Sequence, residues 1–384
     1  MKKVLVVLLS LVLLPFDAVK AEELKLAENA KSAFIIEAST GEIIFEKNAD
    51  EKLVPASMTK IMSMLIIIES IEKGILKWDQ KIQVSEHASS MGGSQILLEI
   101  GEKMTVKDLF KGVAIASGND AVVALGEAIA GSESAFVDMM NKRAKELGCH
   151  NTNFKTSHGL DAANHYSSAR DMGIMARELV KHEKVLEFTS VYEDYLRENT
   201  DRKIWLVNTN KLVRFYDGVD GLKTGYTKEA GYCLTATAKK EGMRIITIVM
   251  GEPDSKSRNR EISEMLDYSF AQYKLDRLLT SNSSLGKYEV TKSTDKYVKV
   301  VPKEDVTVLR KKGEKSGSAT YDVKLNDLKA PLKTGDIVGK LNIIENGKTI
   351  RTIDLTINKD IKKANIGELY LRYLKDIVTG DITI

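Results

Sequence analysis

The feature that most constrains the fold is where strand-type segments fall along the chain. Phe34-Ile35-Ile36 and Ile43-Ile44-Phe45 flank Ser39-Thr40-Gly41, which reads as a β-hairpin. Two more strand runs, residues 234–239 and 244–250, lie far downstream around Glu241-Gly242 and form a second hairpin. Between the hairpins, apolar spacing predicts helices over 57–73, stopped by Gly74, and over 106–129, 134–147 and 168–181. Residues 261–273 return to helical spacing. Strands first and last with helices between predict an α+β fold whose one sheet is built from both ends of the domain, residues 22–280.

Composition changes at the polar stretch Ser281-Asn282-Ser283-Ser284. Beyond it, short β-rich runs at 297–301, 306–309, 320–323, 337–343 and 349–357 are spaced by turn signals such as Lys312-Gly313 and Asn346-Gly347. These predict a small all-β sandwich over 285–360. In the last segment, 361–384, Ile366, Leu369, Tyr370, Tyr373, Leu374, Ile377 and Val378 share one helical face, with Glu368, Arg372, Lys375 and Asp376 opposite.

At the N-terminus, Lys2 and Lys3 precede an apolar run from 4 to 16, and Val19-Lys20-Ala21 supplies small residues for cleavage. The run is shorter than the roughly 20 residues a span needs, so residues 1–21 are expected to be a cleaved export signal rather than an anchor. The net charge of +3 over 384 residues offers no basic stripe for nucleic acid. Cys149 and Cys233 are expected to be buried thiols. His87, His150, His158, His165 and His182 show no metal-ligand spacing, so no metal or cofactor is expected.

Three short motifs remain: Ser57-Met58-Thr59-Lys60, Ser117-Gly118-Asn119 and Lys223-Thr224-Gly225. Two of them have chance competitors: S-x-x-K recurs at Ser70, Ser284 and Ser293, and K-T-G at Lys333. Context favours Ser57, in the first turn of a buried helix with Lys60 on the same face. Ser70 lies at that helix's far end, Ser284 and Ser293 in the linker or β region, and Lys333-Thr334-Gly335 in an inter-strand turn. Taken singly, Ser57 could be a helix cap, Ser117-Gly118-Asn119 a helix-start turn and Lys223 a solvated strand residue. In this order, on helix, loop and terminal strand, they resemble the active site of penicillin-recognising serine acyl-transfer enzymes.

That resemblance implies a division of labour. Ser57 is the nucleophile and needs a base. Lys60 serves if burial and a second cation, Lys223, keep it neutral. Ser117 bridges the two lysines and passes a proton to the leaving amine, and Asn119 holds the substrate amide. Gly225 lets backbone approach closely. The N–H groups of Ser57 and Tyr226 form the oxyanion hole, in which one donor is worth about 10²–10³ in rate.

The likeness extends across the mature chain. Ala33-Phe34-Ile35-Ile36-Glu37-Ala38, Pro55-Ala56-Ser57-Met58-Thr59-Lys60, Gly92-Gly93-Ser94-Gln95, Ile115-Ala116-Ser117-Gly118-Asn119-Asp120-Ala121, His158-Gly159-Leu160-Asp161 and Gly221-Leu222-Lys223-Thr224-Gly225-Tyr226-Thr227 resemble segments of the low-molecular-mass penicillin-binding proteins. These are serine D-alanyl-D-alanine carboxypeptidases, here of the type found in endospore-forming Gram-positive bacteria. The resemblance implies removal of terminal D-Ala from peptidoglycan stem peptides, in cell-wall or spore-cortex maturation, and covalent capture of β-lactams by Ser57. It assigns Thr224 to the substrate carboxylate, helped by Arg258, with Arg260 as the alternative, and gives His158 and Asp171 structural roles. It also implies that the C-terminal helix lies on the outer face of the cytoplasmic membrane. The rivals are a β-lactamase, disfavoured because residues 159–220 hold no Glu-x-x-x-Asn, and a non-catalytic penicillin-binding sensor, disfavoured by the intact Ser57–Lys60 pair. Endopeptidase action on cross-linked peptides would use the same site.

Overall fold

The computed structural model describes residues 25–314 and 318–379. The expected export signal, 1–21, lies outside the described residues.

A five-stranded antiparallel sheet organises the first part. Its order is Ile43–Lys47, Ser32–Glu37, Met243–Glu252, Gly231–Lys240, Val219–Thr227. The N-terminal hairpin thus adds to the C-terminal one, as the strand placement predicts. Alternation along each strand explains why both faces are covered. Phe34, Ile36, Ile246 and Ile248 point into one apolar cluster, shared with the helices. Ala33, Ile35, Ile245 and Val249 point into another, closed by the Ser255–Gln272 helix.

The nucleophile segment is a 3₁₀ turn, Ala56–Thr59, that feeds the helix Lys60–Glu72. This helix is apolar all round, as a central helix must be. Ile61, Met62, Met64, Leu65 and Ile67 are fully buried, each worth roughly 1.5–3 kcal/mol relative to exposure. Helices Asn119–Ala130, Glu133–Glu146 and Ala169–Leu179 pack around it.

One helix is interrupted. Residues 106–129 form two helices, Val106–Ala116 and Asn119–Ala130. Ser117 adopts φ +64 between them, and Gly118 N–H donates to Gly112 O at 3.0 Å. A left-handed residue after the last turn is how helices commonly end. Serine takes that conformation at a cost of about 1–3 kcal/mol.

The Ser255–Gln272 helix runs straight into the strand Tyr273–Leu279, which pairs with Val306–Lys311. A second sheet follows, ordered Lys287–Glu289, Tyr297–Pro302, Lys348–Ile357, Gly339–Glu345, Thr320–Leu325. The two ladders share one apolar cluster, which includes Val306, Val300, Leu341 and Leu355. Lys333-Thr334-Gly335 lies in a turn. The two parts touch where Arg351 donates to Ser39 O at 3.0 Å and Ser39 Oγ meets Thr307 Oγ1 at 3.0 Å.

The last element is the helix Ile366–Thr379. Asn365 and Glu368 cap it reciprocally, with bonds of 2.7 and 2.9 Å. Ile366, Tyr370, Tyr373, Leu374 and Ile377 are exposed. No helix among the described residues is long and apolar enough to cross a membrane.

Candidate active site

The turn carrying Ser57 is held from two sides by residues that cannot carry side chains. A Cβ on Gly225 would stand 2.6 Å from Pro55 O, and one on Gly159 would stand 1.9 Å from Ala56 O. The Val219–Thr227 strand therefore lies flat against Pro55 and Ala56. It is the sheet's edge strand, so one side of its backbone is left without a strand neighbour.

Lys60 is fully buried, and its Nζ has three oxygen neighbours: Ser57 Oγ at 3.0 Å, Asn119 Oδ1 at 2.7 Å and His158 O at 2.7 Å. A neutral amine has two N–H donors and one lone pair. The amide and peptide oxygens can only accept, so they take both N–H bonds. The lone pair is left for the Ser57 hydroxyl, the one neighbour able to donate. Burial, and then the cation of Lys223, hold Lys60 well below the ordinary lysine range, with the Asp120 carboxylate opposing. Lys223, also buried, is lowered to about 7 by burial and by Arg258. The structure thus brings together Ser57, Lys60 and Lys223, the residues for which the sequence suggests the roles of nucleophile, base and second cation.

Asn119 is placed by its own loop. Its Nδ2 donates to Gly92 O at 2.7 Å, and its backbone N–H donates to Ser94 O at 2.7 Å. Next to it, the buried Asp120 carboxylate accepts from the N–H groups of Ile96, Leu98 and Ala121. That cradle fixes the loop over the second motif.

Ser117 differs from expectation. Its buried hydroxyl has no hydrogen-bond partner, so it bridges neither lysine. Lys60 Nζ meets Asn119 Oδ1, His158 O and Ser57 Oγ, and Lys223 donates to Thr224 O at 3.1 Å.

Thr224 Oγ1 donates to Thr209 Oγ1 at 2.7 Å. Tyr226 is exposed, with its ring 4.3 Å from that of Tyr232. The two arginine candidates separate cleanly. Arg258 is buried, donates to Asn259 Oδ1 at 2.9 and 3.1 Å, and acts electrostatically on Lys223. Arg260 is half exposed and pairs with Glu261 and Glu264.

His158 and Asp171 hold structure. Asp171 accepts from Asn151 N–H and Thr152 Oγ1, each at 2.7 Å. Burial lowers the His158 ring to about 4, leaving it neutral at pH 7, and its backbone oxygen reaches Lys60. Sequence reasoning missed that carbonyl, along with Thr209 and Glu133. A backbone atom carries no residue signature, and both side chains act across long stretches of chain. Cys149 and Cys233 are buried free thiols. Among the described residues no His, Cys, Asp and Glu cluster could hold a metal.

Residues 18–254 match the family model described as D-alanyl-D-alanine carboxypeptidase, peptidase S11. Residues 273–363 match the penicillin-binding protein 5 C-terminal domain. The chain is 50% identical to D-alanyl-D-alanine carboxypeptidase DacF of Bacillus subtilis, over 94% of this chain and 91% of that one. Penicillin-binding protein 5 from Haemophilus influenzae superposes with TM-score 0.71 at 31% identity, covering 89% of this chain and 99% of that one. Penicillin-binding protein D2 from Listeria monocytogenes, in its cefotaxime-bound form, gives 0.58 at 31%, covering 65% and 99%.

Proposed function

This chain belongs to the peptidase S11 family of D-alanyl-D-alanine carboxypeptidases, and from that premise we propose how its residues perform the reaction. Ser57 gives its proton to neutral Lys60, and Oγ attacks the carbonyl carbon of the penultimate D-Ala. The C–N bond breaks, the leaving amine takes the proton that Lys60 received from Ser57, and an ester on Ser57 remains. Water then cleaves the ester, releasing the shortened stem peptide. Thr224, Lys223 and Arg258 receive the terminal carboxylate, Asn119 orients the amide, and the N–H groups of Ser57 and Tyr226 face the oxyanion. The observation that carries this reading is the three-point hold on Lys60 Nζ, which suits a neutral amine facing the Ser57 hydroxyl.

The substrate is the peptidoglycan stem peptide ending in D-Ala-D-Ala, and the reaction is extracytoplasmic. β-Lactams acylate Ser57 as mimics of the scissile amide. On this reading the enzyme acts in cell-wall or spore-cortex maturation. The exposed apolar face of the Ile366–Thr379 helix supports docking on the outer face of the cytoplasmic membrane by apolar burial.

The test is mass spectrometry of the protein with a D-Ala-D-Ala tripeptide and, separately, with penicillin. D-Ala release with a long-lived adduct on Ser57, absent in Ser57→Ala, supports the assignment. Hydrolysed penicillin without D-Ala release would indicate a β-lactamase. A stable adduct without peptide turnover would indicate a sensor.

A further inference from the structure

The bend at Leu97 is held from two sides. Leu97 takes φ +54, a left-handed conformation that costs about 1–3 kcal/mol and persists only where the surroundings impose it. On one side, the N–H groups of Ile96 and Leu98 both donate to the buried Asp120 carboxylate, each at 3.1 Å. On the other, the carbonyl oxygens of Ile96 and Leu97 accept from Arg197 at 3.0 and 3.3 Å, and Leu97 O also accepts from Arg202 at 2.8 Å. The Ile96 side chain is buried against the second motif, where a Cβ on Gly118 would stand 3.3 Å from Ile96 Cγ2.

Arg197 follows the strand Glu193–Leu196, which forms a hairpin with Ile204–Val207. Neither Arg197 nor Arg202 belongs to any of the three motifs. The Arg197 side chain is only 9% exposed, and its fork grips Glu102 through Nε at 2.6 Å and Nη2 at 3.0 Å. Burial pushes the Glu102 carboxyl up, but hydrogen bonds from Arg197 and from the Glu99 N–H outweigh it and hold the group below the ordinary carboxylate range. Glu102 is therefore charged at pH 7, and the buried guanidinium has the partner it needs. One planar fork thus serves a carboxylate and two peptide oxygens together, which a single ammonium cannot do.

From the bend, a continuous set of hydrogen bonds leads to the nucleophile. Asp120 adjoins Asn119, whose N–H donates to Ser94 O at 2.7 Å, just before the bend. Asn119 Oδ1 accepts from Lys60 Nζ at 2.7 Å, and Lys60 Nζ meets Ser57 Oγ at 3.0 Å. We propose that Arg197 is a positioning residue for the reaction. By fastening the 96–98 bend to the 193–207 hairpin, it sets where Asn119 stands against Lys60 and the substrate amide. This inference rests on the role given to Asn119 above, and Arg197 acts through the bend rather than on the substrate.

The experiment is a double-mutant cycle on the full chain, read as the stopped-flow rate of penicillin acylation of Ser57. Arg197→Met should slow acylation by roughly tenfold or more, because a small displacement of a substrate-orienting group is costly. Arg197→Lys keeps a cation for Glu102 but loses the fork, so it should unfold in urea closer to the unaltered protein and still acylate several-fold more slowly. Asn119→Ala should be slow by itself. Adding Arg197→Met to it should slow acylation by less than about twofold more, since two residues that act at one point are not additive. Normal acylation in both Arg197 variants overturns the proposal. Losses that multiply in the double variant also overturn it, because Arg197 then acts elsewhere than through Asn119. Normal acylation in Asn119→Ala overturns the role of Asn119 itself, and this inference with it.

Discussion

Lys60 Nζ donates to the backbone carbonyl of His158 at 2.7 Å, and that carbonyl belongs to a loop pinned by Glu133. Glu133 Oε1 accepts from Ser157 N–H at 3.0 Å and Ser157 Oγ at 2.7 Å, and lies 3.4 Å from His158 Nε2. Glu133 touches no reacting atom, so it is a positioning residue. Glu133→Ala should slow penicillin acylation of Ser57 by about tenfold or more, since small misplacements of a catalytic group are costly. Glu133→Gln keeps an acceptor for Ser157 and should restore most of the rate. Equal rates in Glu133→Ala and the unaltered enzyme, measured by stopped-flow acylation, would show that the loop is held by other contacts.

Lys60 accepts the Ser57 proton only when neutral. Protonation at low pH should therefore give acylation an acid limb, with the rate falling as pH drops through the Lys60 pKa. Lys223 is one of the groups that hold that pKa down. Lys223→Met removes this cation, so the limb should move to higher pH, as read from penicillin acylation rates across a pH series. In Lys60→Arg, where the side chain stays protonated, acylation should be slow at every pH. A limb that stays put in Lys223→Met would mean that burial alone sets the pKa.

The same cation should cost stability. The folded pKa of Lys223, about 7, lies below the ordinary lysine value of 10.5. Between those values the unfolded chain binds more protons, so stability rises with pH by on the order of 1.4 kcal/mol per unit from this residue. Lys223→Met removes that penalty. The variant should resist urea better than the unaltered protein at pH 7, and the advantage should fade toward pH 10. An advantage that does not change with pH would trace to packing rather than to charge.

How much of this site could be read in advance depends on how local each signal is. The hairpins are announced by Ser39-Thr40-Gly41 and by Glu241-Gly242, where Glu241 and Gly242 both take positive φ. The break at Ser117 is not announced. Val113, Ile115, Val122 and Leu125 all bury into one core, so helical spacing runs on across the gap. The left-handed turn falls on a serine instead of a glycine. The first turns of the Ser255–Gln272 helix were invisible for the opposite reason. They are largely polar, and the helix starts where Asp254 accepts from Lys256 and Ser257 N–H at 2.8 Å. Tertiary partners are legible only when both ends sit in motifs, as with Lys60 and Lys223. The Thr224–Thr209 bond, with one end in an unremarkable loop, is not.

Gly225 gives the sharpest steric test. Its φ is ordinary, so the requirement for glycine comes from crowding rather than from backbone strain. An added Cβ would meet Pro55 O at 2.6 Å, Ala56 Cβ at 3.2 Å and Met58 Cγ at 3.3 Å. The nearest of these is backbone, which cannot swing aside as a long side chain can. Gly225→Ala must therefore push the edge strand and the Ser57 turn apart. That separates the Tyr226 N–H from the Ser57 N–H across the proposed oxyanion hole, where the loss of one donor typically costs about 10²–10³ in rate. Acylation by penicillin should fall by that order. Thermal unfolding should shift by much less, because the strand keeps its ladder with Gly231–Lys240 on the other side. Gly159→Ala should behave differently. There φ is +87 and the added Cβ would lie 1.9 Å from Ala56 O, so strain and clash combine. Stability should drop along with acylation, by several kcal/mol in urea titration. If Gly225→Ala instead acylates at the normal rate, the strand and the nucleophile turn do not need to stay in contact for the chemistry.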